Sequence, residues 1–263
     1  MPGSPPSRRR RPQPAAPTLV LLVRHGLTPT TGTVLPGRAR GLHLAERGRE
    51  QAHAVATRLA TWAPPGSSPA GRRAAPPTQV TTAGDDGTGA GSPAPARRRA
   101  RPERPRVAAV YSSPLERTRE TAAPIAAALG LTTVAERGLL ECDFGAWTGA
   151  ALKDLAKLPE WTTVQRWPSG FCFPDGESFT GMQARMVGAI GAICARHRGQ
   201  AVVAVSHADP IKAAVAGAMG THLDLFQRIV ISPCSVTAIR YGPGGPTVLT
   251  VNSAGSLADV VAS

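Results

Sequence analysis

Three short runs of the chain are apolar at nearly every position. Thr18–Val23 (TLVLLV), Val107–Tyr111 (VAAVY) and Ala201–Val205 (AVVAV) lack the alternation of a half-exposed strand. Valine-rich runs of five or six residues predict strands buried on both faces. Elsewhere the apolar period lengthens to that of a helix. Residues 46–62 place Ala52, Val55, Ala56, Leu59 and Ala60 on one side. Ser112-Ser113-Pro114 opens a second helix, with Ser113 as N-cap, Pro114 at N1 and Glu116 closing a capping box. That helix runs toward Leu129 and stops at Gly130, with Pro124 a candidate bend. Further helices are predicted over Glu177–Arg196 and from about Asp209 to Met219. Strands near Ser235–Tyr241 and Thr247–Val251 flank GPGGP and read as a hairpin.

Buried strands alternating with helices predict an α/β fold: a three-layer α/β/α sandwich with a mostly parallel central sheet. In such sheets ligands bind beyond the carboxyl ends of the strands. Three strands here end in reactive groups: Arg24-His25, the Ser113 turn leading to Arg117, and Ser206-His207. Their convergence points to an active site.

Composition changes this picture in two places. The chain has 263 residues and a net charge of +13, but the charge is uneven. Residues 1–17 and 63–106 hold 15 of the 26 prolines and +9 of that charge. Neither segment has helical or strand periodicity. They read as a disordered basic tail and a disordered insertion within one domain of residues 18–263. A long insertion is tolerated because loop-closure entropy grows only logarithmically with length. The arginine runs lack interleaved aromatics, so no nucleic-acid partner is expected. No apolar run approaches the ~20 residues of a membrane span. Cys142, Cys172, Cys194 and Cys234 lie at least 22 residues apart, so reduced thiols in the cytoplasm are expected.

The chemistry near the strand ends suits a tetrahedral dianion. Arg24 and Arg117 offer forked donors that match phosphate oxygens. A neutral imidazole, at His25 or His207, is a nucleophile at neutral pH. No pattern of acidic or histidine ligands suggests a metal, and no cofactor is implied.

Four segments carry a resemblance: LLVRHGLT (21–28), VYSSPLERTRETA (110–122), LLECDFGAWTG (139–149) and VVAVSHAD (202–209). In this order they resemble the histidine phosphatase superfamily, the phosphoglycerate-mutase-like proteins. ECDFGAWTGAALKDLAKLPEW and HLDLFQRIVISP further resemble a branch labelled as phosphomutases. The resemblance implies that His25 is the nucleophile and forms a phosphohistidine. A backbone carbonyl would hold its other ring nitrogen as N–H. It implies that Arg24 and Arg117 bind the phosphoryl group and that a cationic His207 adds positive charge. Glu141 would be the general acid and then the base. Thr28, Thr31, Arg38 and the backbone of Ala208 are candidate substrate contacts. Thr31 stands where many relatives have asparagine, and Ala208 where they have glycine. Trp147, Trp161 and Trp167 read as packing residues, with a substrate wall as the alternative.

The expected function is hydrolysis of a small phosphorylated metabolite. A phosphomutase using the same phosphohistidine is the alternative. A non-catalytic phosphate-binding or nucleic-acid-binding adaptor ranks last, because His25 and Glu141 are both present. The compact region 130–200 favours hydrolysis over a sealed mutase site. The sequence leaves the oligomeric state open.

Overall fold

The computed structural model describes residues 16–63, 106–257 and 260. Most of the basic tail and of the insertion predicted at 63–106 lies outside the described residues.

Six strands form one sheet: β1 (Thr18–Arg24), β2 (Val107–Ser112), β3 (Thr133–Ala135), β4 (Ala201–Ser206), β5 (Val236–Gly242) and β6 (Gly245–Ser253). Their order is β3-β2-β4-β1-β5-β6. β1, β2, β3 and β4 run parallel to one another, while β5 pairs antiparallel with β1 and with β6. The sheet is therefore mixed, with the predicted hairpin as its antiparallel edge. Val20, Leu21, Leu22 and Val23 have no exposed surface, as do Val202 to Val205. Unbroken apolar runs are what a central strand covered on both sides requires.

Two helix pairs supply that cover. α1 (Glu46–Trp62) and α2 (Glu116–Leu129) bury Val55, Leu59 and Ile125 against Leu19, Leu21 and Val23. α5 (Phe179–Arg196) and α6 (Ala208–Met219) bury Met186, Ile190 and Ile211 against Val20 and Leu22. Alternate residues of β1 thus face opposite helix layers, as period-two geometry dictates. After the short α3 (Leu152–Leu155), α4 (Pro159–Arg166) packs Val164 and Trp161 into a smaller aromatic unit, where Phe144, Phe171, Phe173, Phe179 and Phe226 meet.

The start of α2 differs from the sequence expectation. Its N-cap is Leu115, and no side chain caps it. Ser113 is not the cap because its hydroxyl bonds Nε2 of His207 at 2.9 Å. The helix then continues through Pro124 to Gly130, whose φ of 67° closes it in the left-handed conformation glycine adopts without strain.

Strand register assembles the site. Arg24 lies opposite Ser206 in the β1–β4 ladder. The next residue extends the ladder, with His25 N–H donating to the Ser206 carbonyl at 3.0 Å. On the other side of β4, Ser113 N–H donates to the Val205 carbonyl at 3.0 Å. Three strand ends therefore stop at one level.

Candidate active site

His25 follows β1 and is buried. Its Nδ1 lies 2.8 Å from the Gly26 carbonyl. A carbonyl only accepts, so Nδ1 carries the proton and Nε2 keeps its lone pair. Burial, with Arg117 and Arg24 nearby, pushes the imidazole down to about 3. The ring is therefore neutral, and nucleophilic, across the physiological range. Gly26 is required here: a Cβ on it would meet the carbonyl oxygen of Gly48 in α1. Its N–H is held by Thr121 Oγ1 at 3.0 Å.

His207 ends the β4 segment and caps α6. Its ring centroid lies 5.2 Å from that of His25, at 63°. It is fully buried, and burial with Arg117 and His25 lowers its pKa well below the usual imidazole value. The surroundings of the free site thus disfavour the cationic His207 that was expected, because burial and two nearby arginines oppose a further positive charge.

Arg117 is the second residue of α2 and has no exposed surface. Its Nη2 donates to the Gly37 carbonyl at 2.7 Å. Its Nε and Nη1 have no partner. Arg24 donates through Nη1 to the Ile231 carbonyl at 2.7 Å, and its Nε is likewise unpartnered. Nδ1 of His207 is the fourth buried nitrogen of this kind. Buried donors without acceptors are rare, and each costs about 1–3 kcal/mol. Arg117 and Arg24 act electrostatically on His25 and the His207 ring packs against it, so these nitrogens form a polar set suited to the oxygens of a tetrahedral anion.

Glu141 completes the group. Its Oε1 accepts from Cys142 N–H at 3.0 Å, and its Oε2 lies 4.0 Å from His207 Nδ1. Burial, reinforced by the negative charge of Asp209 and opposed by Arg117, pushes the carboxyl up to about 7. It can therefore hold a proton at neutral pH and release it.

Arg24, His25, Glu141 and Ala208 open into a cleft of about 380 Å³. Thr28 and Thr31 line it too. The Thr31 hydroxyl lies 2.9 Å from Thr28 N and 2.9 Å from Thr28 Oγ1, so it closes the loop on itself. Ala208 begins α6, where unpaired amides and the helix dipole favour an anion.

The sequence model of the histidine phosphatase superfamily (branch 1) matches residues 20–76 and 94–254. The chain belongs to this superfamily. It is 33% identical over 147 residues to phosphoserine phosphatase 1 of Hydrogenobacter thermophilus, spanning 54% of this chain and 69% of that protein. A bifunctional protein of Mycobacterium tuberculosis is 34% identical over 155 residues, 57% of this chain but only 42% of that protein. Among solved structures, mycobacterial glucosyl-3-phosphoglycerate phosphatase superposes with a TM-score of 0.67 at 19% identity, covering 90% of this chain and 99% of that one. Phosphoserine phosphatase of Entamoeba histolytica superposes with a TM-score of 0.66 at 20% identity, covering 90% and 97%. At such identities the structures show the fold, which is the phosphoglycerate-mutase-like fold expected. The chain is an enzyme of a superfamily whose phosphatase members hydrolyse phosphomonoesters.

Arg38, like the fully buried Arg117, does not line this cleft. Its guanidinium is engaged by the Glu141 carbonyl at 2.9 Å, Asp143 at 3.2 Å and Glu177 at 2.9 Å. Trp147 and Trp161 pack in the aromatic unit, whereas Trp167 is 60% exposed and does not line the cleft. Sequence reasoning missed Asp209, Lys212 and Gln227, which line the cleft. Lys212 Nζ sits 3.1 Å from both Asp209 Oδ1 and Gln227 Oε1. The signal for Asp209 was its place two residues after His207. Gln227 had none, because it arrives from a separate 3₁₀ turn, Leu223–Arg228.

Proposed function

We propose that the chain hydrolyses a small phosphomonoester by two in-line transfers, with His25 as nucleophile. The four unpartnered buried nitrogens of Arg24, Arg117 and His207, beside a neutral His25, carry this reading. Nε2 of His25 attacks phosphorus as the bond to the leaving oxygen breaks. Arg24, Arg117 and His207 Nδ1–H bind the non-bridging oxygens, so charge is met by groups already in place. For His207 this requires Ser113 to donate its hydroxyl proton to Nε2, leaving the ring proton on Nδ1. Glu141 gives its proton to the leaving alkoxide. The resulting carboxylate then takes a proton from water, whose oxygen attacks the phosphohistidine. Inorganic phosphate departs, and Glu141 is again protonated.

The substrate we infer is a small alcohol or amino-acid phosphate. Its leaving group would rest between an apolar wall (Val34, Leu35, Leu152, Ile229) and the polar side formed by Lys212 and Gln227. The named substrates of the relatives, phosphoserine and glucosyl-3-phosphoglycerate, are of this size class. The two arginines supply the cationic charge, so we propose a reaction that proceeds without added metal. We also place the enzyme in the cytoplasm, where the four free thiols would stay reduced. Among the described residues no helix is long and apolar enough to cross a membrane.

The test is phosphate release from a panel of phosphomonoesters in buffer containing a chelator. Release unaffected by the chelator supports the reading. Quantitative transfer to another hydroxyl of the substrate, with no free phosphate, would show a mutase instead.

A further inference from the structure

Glu177 precedes α5 and does not line the cleft. Its carboxylate nevertheless ties two arginines together. Oε2 lies 2.9 Å from Arg38 Nη2 and 2.9 Å from Arg185 Nη2, and Oε1 lies 2.9 Å from Arg185 Nε. Both arginines then reach the same atom. Arg38 Nε donates to the Glu141 carbonyl at 2.9 Å, and Arg185 Nη2 donates to it at 3.3 Å. Arg185 Nη1 also holds the carbonyls of Gly138 at 2.8 Å and Leu140 at 3.0 Å. The Glu177 backbone joins in, donating to the Asp143 carbonyl at 2.8 Å.

We propose that Glu177 is a positioning residue for the general acid, holding the Glu141 carboxyl toward the leaving oxygen through Arg38 and Arg185. The inference rests on the phosphoryl-transfer reading above. The segment 138–141 has little regular structure, only a single 3₁₀ turn at Arg137–Leu139. Side-chain donors therefore fix its carbonyls. Two guanidinium groups converging on one carbonyl oxygen repel each other. The Glu177 carboxylate between them offsets that repulsion, and its side chain is only 18% exposed, which limits screening by water. Of the two guanidinium groups the Asp143 carboxylate reaches only Arg38, and it is 40% exposed, so it cannot replace Glu177. Glu177 is held below the usual carboxylate range: burial raises it, but the Arg185 hydrogen bond and the charges of Arg185 and Arg38 outweigh that. It therefore stays ionised wherever Glu141 works.

The experiment compares an alkyl phosphate with p-nitrophenyl phosphate for the wild type and Glu177→Gln. An alkoxide needs a proton to leave, whereas p-nitrophenolate does not. We expect kcat on the alkyl ester to fall tenfold or more, toward the ~100-fold loss that a 1 Å misplacement can cause. The first transfer from the aryl ester, read as the burst of p-nitrophenolate, should change little. In a Glu141→Gln background, Glu177→Gln should add no further loss, since the two act as one unit. An equal loss on both esters, or the same loss in the Glu141→Gln background, would overturn the proposal. So would unchanged rates. Should Glu177→Gln not fold, Arg185→Gln removes the other arm and carries the same expectations. A wild type inactive on both esters would instead contradict the reading of the site itself.

Discussion

Nδ1 of His207 lies 4.0 Å from Oε2 of Glu141, and that nitrogen has no hydrogen-bond partner. At this distance the two polar atoms do not bond each other directly, and one ligand oxygen lying beside them can reach both. One is an imidazole whose cationic form is disfavoured by burial and by Arg117, the other a carboxyl raised to about 7 by burial and by Asp209. A phosphoryl oxygen placed beside both would meet a donor on His207 and the acid of Glu141.

That arrangement fixes the direction of the pH profile. His25, pushed down to about 3, remains a free base throughout the neutral and mildly acidic range. Glu141 must be protonated for the first transfer, and it loses its proton near 7. For an alkyl ester, kcat/KM should therefore fall as pH rises through about 7. Glu141→Gln should remove this fall, and Asp209→Asn should move it to lower pH because a repelling charge is gone. Steady-state profiles on the three proteins check this. A basic limb that survives Glu141→Gln would assign the acid elsewhere.

The same burial weakens the fold at high pH. The folded-state pKa of Glu141 is raised, so its contribution to stability is full below the unfolded value and lost as pH rises through about 7. Glu141→Gln should therefore stabilise the protein at pH 8 by about 1–3 kcal/mol, and by nearly nothing at pH 4. Urea unfolding at the two pH values measures the difference. Equal effects at both would contradict the raised pKa.

Ser113 holds His207 by a hydrogen bond of 2.9 Å to Nε2, which leaves Nδ1 for the phosphate. Ser113→Ala removes the group that selects this tautomer. Competitive inhibition by inorganic phosphate should weaken about tenfold, the equivalent of one hydrogen bond of ~1.4 kcal/mol. Titration of phosphate against the aryl ester rate tests it. Unchanged inhibition would mean that Nδ1 does not meet the phosphate.

Much of this architecture was legible in the sequence. The runs TLVLLV and AVVAV could only be central strands, and a strand end at Val23 or Val205 necessarily carries His25 or His207 out of the sheet. Register then did what spacing could not: Arg24 opposite Ser206 brings together histidines that are 182 positions apart. The errors arose where a residue type suits two roles. Ser113 before Pro114 reads as a helix cap, but its hydroxyl bonds His207 in another segment. Arg38 reads as a phosphate ligand, but Glu177 and Asp143 claim it, and carboxylates 105 and 139 residues away leave no local signal. The charge of His207 has no local signal, because it depends on how deeply the ring sits beside two arginines.

One backbone contact supports the site from below. Gly48 in α1 is buried against the loop after His25, and a Cβ there would meet the carbonyl oxygen of Leu27. Backbone cannot yield as a flexible side chain can. Gly48→Ala should cost about 1–3 kcal/mol of stability through overpacking. It should also lower kcat, since Leu27 is two residues from His25. Thermal melting and turnover measured together check both. A variant as stable as the wild type would show that α1 can move away freely.

The account depends above all on a covalent phosphoryl group at His25. The decisive measurement is intact-protein and peptide mass spectrometry after rapid mixing with p-nitrophenyl phosphate and quenching in alkali, where phosphohistidine persists. The account predicts a single added phosphoryl group on the peptide containing His25. It also predicts no such group, and a turnover lower by several orders of magnitude, in His25→Ala. Full activity in His25→Ala, or phosphorylation on any other residue of the wild type, would contradict it.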